Sequence, residues 1–150
     1  MNATDGHHGK RTVATESGEG RYHLTINASG HHLEADEPVG AGGDDRGPNP
    51  YDLLCAALSA CTIITLRMYA ERKDYTITKL ETEITHTKKQ ADPQPENAGG
   101  RPVLIDVFSR QIRIEGDITE EQRQRMLEIA VRCPVARTLE NNAIIHSALA

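Results

Sequence analysis

The stretch from Asn49 to Lys73 constrains this chain more than any other. Asn49 carries the short polar side chain of a helix N-cap. Pro50 suits the first helical position, and Asp52 favours the positive end of the helix dipole. For four turns the residues that follow are apolar or small almost all the way round. A helix of that kind has to be covered on several sides. Ala56, Ala57, Ser59 and Ala60 are small enough to let neighbours approach closely, while Arg67, Glu71, Arg72 and Lys73 return the last turn to solvent. Ser59, Thr62, Thr65 and Arg67 interrupt the apolar run, which argues against a membrane span.

The covering elements are legible on either side. Tyr22, Leu24 and Ile26 alternate with polar residues over Arg21–Asn27, the pattern of a half-buried strand. Ala28-Ser29-Gly30 makes a turn, and His31–Ala35 returns as the second strand of a hairpin. Residues 37–49 form a Gly-rich loop. It is no phosphate-binding loop, because no Gly-Lys-Ser/Thr follows. Tyr75–Lys88 alternates over a long run and predicts a strand, bulged near Lys79-Leu80. Residues 90–102 are turn-rich, and Val103–Ile114 predicts the next strand. Thr119 with Gln122 forms a capping box opening a helix that carries Met126, Leu127, Ile129, Ala130 and Val131. Pro134 breaks that helix after Cys133, a short helical segment reaches about Leu139, and Ala143–His146 predicts a terminal strand.

These elements define an α+β fold with antiparallel strands. Residues 1–18 are polar and Gly-rich and read as a flexible tail, leaving 19–150 as a single domain. At 150 residues the chain can bury a core without disulfides or metal. Aromatic residues are only 3%, so that core has to be aliphatic. Long antiparallel strands and a helix apolar on all sides are hard to satisfy within one small chain, which points to a homodimer.

Charge narrows the function. The net charge of −5 and scattered Lys and Arg residues lack the basic footprint of a nucleic-acid binder. The first twenty residues hold no apolar secretory segment. Three cysteines without such a segment fit a reducing compartment and a cytoplasmic location.

The cysteines are not equivalent. Cys55 and Cys61 lie on one helix six residues apart, a rise of about 9 Å, on different faces. A disulfide needs Cα atoms within about 7 Å, so these two cannot pair while the helix exists. Cys55, among Leu53, Leu54, Ala56 and Leu58, reads as core. Cys61 sits in Ser59-Ala60-Cys61-Thr62, where small neighbours leave room for a substrate or a second sulfur. Cys133 precedes Pro134 at a helix start, where backbone N–H groups and the nearby Arg132 and Arg137 favour a thiolate. The spacings contain no Cys-x-x-Cys and no His-Glu-x-x-His, hence no metal motif.

Two cysteine segments, GPNPYDLLCAALSACTIITLRMYAERK (47–73) and RCPVARTL (132–139), resemble the OsmC-like family of the OsmC/Ohr superfamily of stress-response proteins. EADEPVGAGGDD (34–45) resembles the stretch leading into the first of these, and the likeness spans roughly residues 20–150. The resemblance implies an intertwined homodimer with sheets wrapped around central helices. It implies thiol-dependent reduction of hydroperoxides, preferably organic ones, without metal or haem. In that scheme Cys61 is the peroxidatic residue and becomes a sulfenic acid; Cys133 condenses with it to a disulfide, which an external dithiol reduces. Peroxidases of the family hold the thiolate with an N-terminal arginine, for which Arg21 is the positional match. They place a Glu ten residues before the first cysteine to orient that arginine, whereas this chain has Tyr51, with Asp52 about 100° away on the helix. Ala136 stands where many members of this branch have His. The alternative is a non-catalytic dimer that binds an apolar ligand, or senses oxidants, through the same cysteine cleft.

Overall fold

The structure, a computed structural model, describes residues 11–91, 103–141 and 143–149. It comprises two compact units, Met1–Leu53 and Leu54–Ala150.

The first unit is a three-stranded antiparallel sheet in the order β1 (Thr12–Glu16), β2 (Leu24–Ala28) and β3 (His31–Ala35). The β2–β3 hairpin turns at Ser29 and Gly30, both at positive φ, 54° and 93°, as a tight two-residue turn demands. β1 corrects the expectation of a flexible tail to residue 18: Thr12–Glu16 pairs with Leu24–Ala28 in register. All five of its residues are exposed, so no burial alternation marked it as a strand. Only its partner makes it one. Residues 1–10 lie outside the described part.

The loop after β3 is organised by buried Asp36. Its carboxylate accepts hydrogen bonds from the backbone N–H groups of Glu37 (2.8 Å), Asp44 (3.1 Å) and Arg46 (3.2 Å). Burial alone would push this carboxyl up, yet the three N–H groups and neighbouring His23 hold it below the ordinary aspartate range. Gly43 packs so closely that a Cβ there would lie 1.9 Å from the Glu37 carbonyl oxygen. A 3-10 turn at Val39–Ala41 completes the loop.

Helix α1 (Pro50–Arg72) begins as expected. The Asn49 side chain accepts from the N–H groups of Tyr51 and Asp52, and Asp52 accepts in return from the Asn49 N–H. Its burial differs from the expectation of cover on several sides. Leu58, Thr62, Leu66, Tyr69 and Ala70 are buried, whereas Ile64 is 58% and Met68 65% exposed. By length and composition α1 could cross a membrane; in this chain its buried side belongs to a packed core.

The second unit pairs β4 (Thr76–Gln90) with β5 (Leu104–Asp117) in a long antiparallel ribbon. The predicted bulge appears as a register shift between Ile77 and Lys79. Most of the turn-rich 90–102 segment lies outside the described residues. α2 (Glu120–Ala130) opens on the Thr119/Gln122 capping box with both hydrogen bonds formed. Its Met126 and Ala130 complete a core with Leu66, Tyr69, Ala70 and Ile114. α3 (Pro134–Glu140) follows Cys133 directly. The terminal strand expected at Ala143–His146 does not form. Residues 143–149 have no regular structure, and Ile144 and Ile145 are 83% and 85% exposed. An alternating sequence becomes a strand only when it pairs with a strand edge, and this segment pairs with none among the described residues.

Candidate functional site: a two-cysteine centre beside an apolar cavity

A second core cluster in the Leu54–Ala150 unit contains Leu58, Cys133 and Ala136, packed by Cys61, Ile84, Phe108 and Val135. It forms because three local patterns converge. Leu58, Thr62 and Leu66 recur every four residues along α1 and share its buried side, with Cys61 at the edge. Phe108, Arg110, Ile112 and Ile114 alternate along β5 and share one face. Pro134 stops α2 from continuing and starts α3 with Cys133 as its N-cap.

Both sulfurs meet the start of α3. Val135 N–H donates to Cys61 Sγ at 3.5 Å and Ala136 N–H to Cys133 Sγ at 3.4 Å. Two cysteines 72 positions apart thus sit on consecutive backbone amides, and both are free thiols. Cys61 is half-buried and Cys133 wholly buried. Arg110 Nη1 lies 3.8 Å from Cys133 Sγ and donates to Thr62 Oγ1 at 2.8 Å. The Thr62 hydroxyl is 3.8 Å from the same sulfur and donates to the Leu58 carbonyl at 2.7 Å.

Burial works to raise the Cys133 pKa. It is outweighed by the Ala136 N–H, the Thr62 hydroxyl, the Cys61 thiol and the Arg110 guanidinium, so Cys133 titrates below an ordinary cysteine. The basic neighbours expected from sequence, Arg132 and Arg137, are exposed, and the guanidinium on the sulfur comes from β5 instead.

A cavity of about 350 Å³ borders this cluster, lined by Leu58, Val107, Phe108, Arg110, Ala136 and Leu139, with Asp106 and Glu140 supplying carboxylates; Leu58, Phe108 and Ala136 separate it from the sulfurs, neither of which lies on its wall. That volume is within the range of small-molecule sites. Asp106 is held below the ordinary aspartate range by hydrogen bonds from Lys88 and His86, each at 2.8 Å.

Of the residues singled out from sequence, Cys61 and Cys133 are brought together. Cys55 is half-buried and outside both core clusters. Arg21 belongs to the Met1–Leu53 unit, exposed, with its guanidinium 5.2 Å from the centre of the Tyr22 ring. Tyr51 is exposed in the first turn of α1. Arg110 and Thr62 were missed. The signal for Arg110 was present: a cation in step with Phe108, Ile112 and Ile114 stands on the apolar face of its strand. No group of three or more metal-ligating side chains occurs among the described residues.

The family model for OsmC-like proteins matches residues 42–147, more than half of the chain, and this protein belongs to that family. Its fold is similar to that of an OsmC-like protein from Mycoplasma pneumoniae (20% identity, 87% of this chain and 86% of that one, TM-score 0.64). It is also similar to an organic hydroperoxide resistance protein OsmC from Legionella pneumophila (16% identity, 89% and 90%, TM-score 0.64). A third likeness is to an organic hydroperoxide resistance protein from Elizabethkingia anophelis (21% identity, 89% of each chain, TM-score 0.65). Among curated proteins no sequence matches it.

Proposed function

We propose that this protein reduces organic hydroperoxides by a thiol mechanism, with Cys61 as the attacking residue and Cys133 as its resolver. The observation that carries the proposal is the placement of both sulfurs on the Val135 and Ala136 amides, beside the cavity. Cys61 is the more accessible thiol, so the peroxide meets it first. Its sulfur attacks the distal peroxide oxygen, the O–O bond breaks, and the alkoxide leaves as an alcohol once protonated. Cys61 is left as a sulfenic acid. Cys133 displaces hydroxide from it to form the disulfide, and an external dithiol restores both thiols by exchange. No metal or haem enters these steps. Arg21 stands as the family's positional candidate for a thiolate-holding arginine.

The protein acts as a homodimer in this proposal, because Leu54, Ile64 and Met68 leave one side of α1 apolar and exposed. Burying such a side chain contributes roughly 1.5–3 kcal/mol. A cytoplasmic location supplies the dithiols the cycle consumes. A non-catalytic ligand binder or oxidant sensor would use the same cavity, but would show one binding or oxidation event without turnover.

The test is consumption of cumene hydroperoxide with dithiothreitol as reductant, for wild type, Cys61→Ser and Cys133→Ser. Wild type is expected to turn over, and Cys61→Ser to lose roughly 10³-fold or more in rate, as enzymes do on losing a nucleophile. Undiminished turnover in Cys61→Ser would sink the mechanism. A single stoichiometric oxidation in wild type would favour the sensor.

A further inference from the structure

The two sulfurs differ in what can reach them and in what surrounds them. Cys133 is wholly buried, packed by Leu58 and Ala136, which are themselves buried; Cys61 is half-buried. The Cys133 sulfur accepts from the Ala136 N–H of α3 at 3.4 Å and lies 3.8 Å from Arg110 Nη1 of β5 and from the Thr62 hydroxyl of α1. The Cys61 sulfur meets the neutral Val135 amide at 3.5 Å and no guanidinium among the described residues. Opening a disulfide is not a symmetric act. One sulfur must be reached by the incoming thiolate, and the other must leave carrying negative charge. Access favours Cys61 as the sulfur attacked, and charge stabilisation favours Cys133 as the sulfur that leaves.

We propose that the Cys61–Cys133 disulfide is opened in one direction only: the external thiolate attacks Cys61 Sγ, and Cys133 leaves as a thiolate towards the Ala136 N–H and the Arg110 guanidinium. The hydroperoxide reading supplies the origin of that disulfide; the choice of sulfur does not depend on how the disulfide is made. Attack on Cys133 would have to displace the packing of Leu58 and Ala136, and would expel Cys61 towards a neutral amide alone. The lowered pKa of Cys133 agrees with the direction, since the sulfur that ionises more readily leaves faster.

The steps balance with a dithiol as the only reagent. Its first thiolate forms an S–S bond to Cys61 as the Cys61–Cys133 bond breaks, and the electron pair of that bond stays on Cys133. Its second sulfur, deprotonated, attacks the reductant sulfur of the mixed disulfide. The reductant closes to a cyclic disulfide, and Cys61 is released as a thiolate, the nucleophile that the next peroxide requires. The dithiol gives up two electrons to the protein disulfide, and its two protons go to solvent or to the released sulfurs. Peroxide and reductant thus act at the same sulfur at alternate stages of the cycle, and Cys133 meets neither directly.

The experiment oxidises the full wild-type chain with one equivalent of cumene hydroperoxide and exposes the disulfide to 2-mercaptoethanol, a monothiol small enough to try either sulfur. Samples are acid-quenched at successive times, freed thiols are capped with N-ethylmaleimide, and peptide mass spectrometry locates both groups. Extrapolated to zero time, mercaptoethanol on Cys61 with maleimide on Cys133 is expected to exceed the reverse roughly tenfold or more, since access and leaving group act in the same direction. A ratio near one, or mercaptoethanol chiefly on Cys133, would overturn the proposal, and that result needs no variant to fold. A second readout is the rate of the first exchange at fixed mercaptoethanol. Arg110→Gln is expected to slow it several-fold and Arg110→Lys to recover part of the loss, with the adduct still on Cys61 in both. An unchanged rate in folded Arg110→Gln would overturn the role given to Arg110 in receiving the leaving sulfur. If the peroxide leaves both thiols free, the hydroperoxide proposal falls; diamide then makes the disulfide, and the position of the adduct still decides the direction. Failure of diamide to join Cys61 and Cys133 would overturn this inference as well.

Discussion

Asp36 and Cys133 are both buried acids held by backbone N–H groups, and they do opposite things. Asp36 is surrounded: three amides of its own loop saturate the carboxylate and fix the path of residues 36–46. Cys133 has one amide, a hydroxyl and a guanidinium, and beside it stand a second thiol and a cavity. A buried carboxylate whose hydrogen-bond donors all come from its own loop is an anchor. A buried thiol whose partners come from three different elements, with space nearby, is available for chemistry. Burial and a lowered pKa are common to both, so neither identifies a reactive group. What separates them is whether a neighbouring atom can be exchanged.

The comparison breaks first at its stiffest point. Gly43→Ala forces a Cβ into the Glu37 carbonyl, a backbone clash that no side-chain rotation relieves. It is expected to cost about 2–4 kcal/mol in urea unfolding and to strip hydrogen-exchange protection from the Asp44 and Arg46 amides. Retained protection there would show that Asp36 does not anchor this loop.

Thr62→Val tests the other side. The swap nearly preserves shape but removes the hydroxyl that Arg110 and Cys133 share. A stability loss of about 1–3 kcal/mol is expected from the stranded guanidinium donor. The Cys133 titration should also move upward. A stability loss without a titration change would make Thr62 a packing residue only.

The smallest effect is one of pH. Because the folded pKa of Asp36 is lowered, its contribution to stability is present above the unfolded value of 3.8. That contribution is lost as pH falls through the lower folded value. Asp36→Asn is therefore expected to flatten the acid limb of the stability curve below that pH and to leave its shape above pH 5 alone. Cys133 obeys the same sign at the other end of the scale. Its contribution is complete above the unfolded cysteine value and disappears as pH falls through its lowered folded one. Parallel acid limbs for wild type and Asp36→Asn would remove Asp36 as the carboxylate responsible.

Much of this molecule was legible from local pattern. The Asn49–Asp52 cap, the Ser29-Gly30 turn, the bulge in β4, the Thr119/Gln122 box and the break at Pro134 all depend on residues a few positions apart. Their physics is contained in short segments, so a sequence states it outright. β1 and the failed strand at Ala143–His146 were misread for one reason: a strand exists only where another backbone completes its hydrogen bonds, and sequence does not name the partner. The exposed side of α1 is the same problem at the level of packing, where the apolar pattern says that a surface needs cover without saying what covers it.

The cysteines divide along the same line. Sequence by itself determined that Cys61 lies in a small-residue stretch of a helix, that Cys133 stands at a helix start, and that Cys55 and Cys61 cannot join. Local geometry and residue size are enough for that. Only the tertiary structure decided which groups surround each sulfur. It put Cys61 and Cys133 on adjacent amides and supplied the guanidinium from Arg110 on β5 rather than from Arg132 or Arg137 beside Cys133 in the chain. The electrostatic environment of a thiol is a sum over neighbours in space, and 23 residues of separation hid the most strongly charged of them.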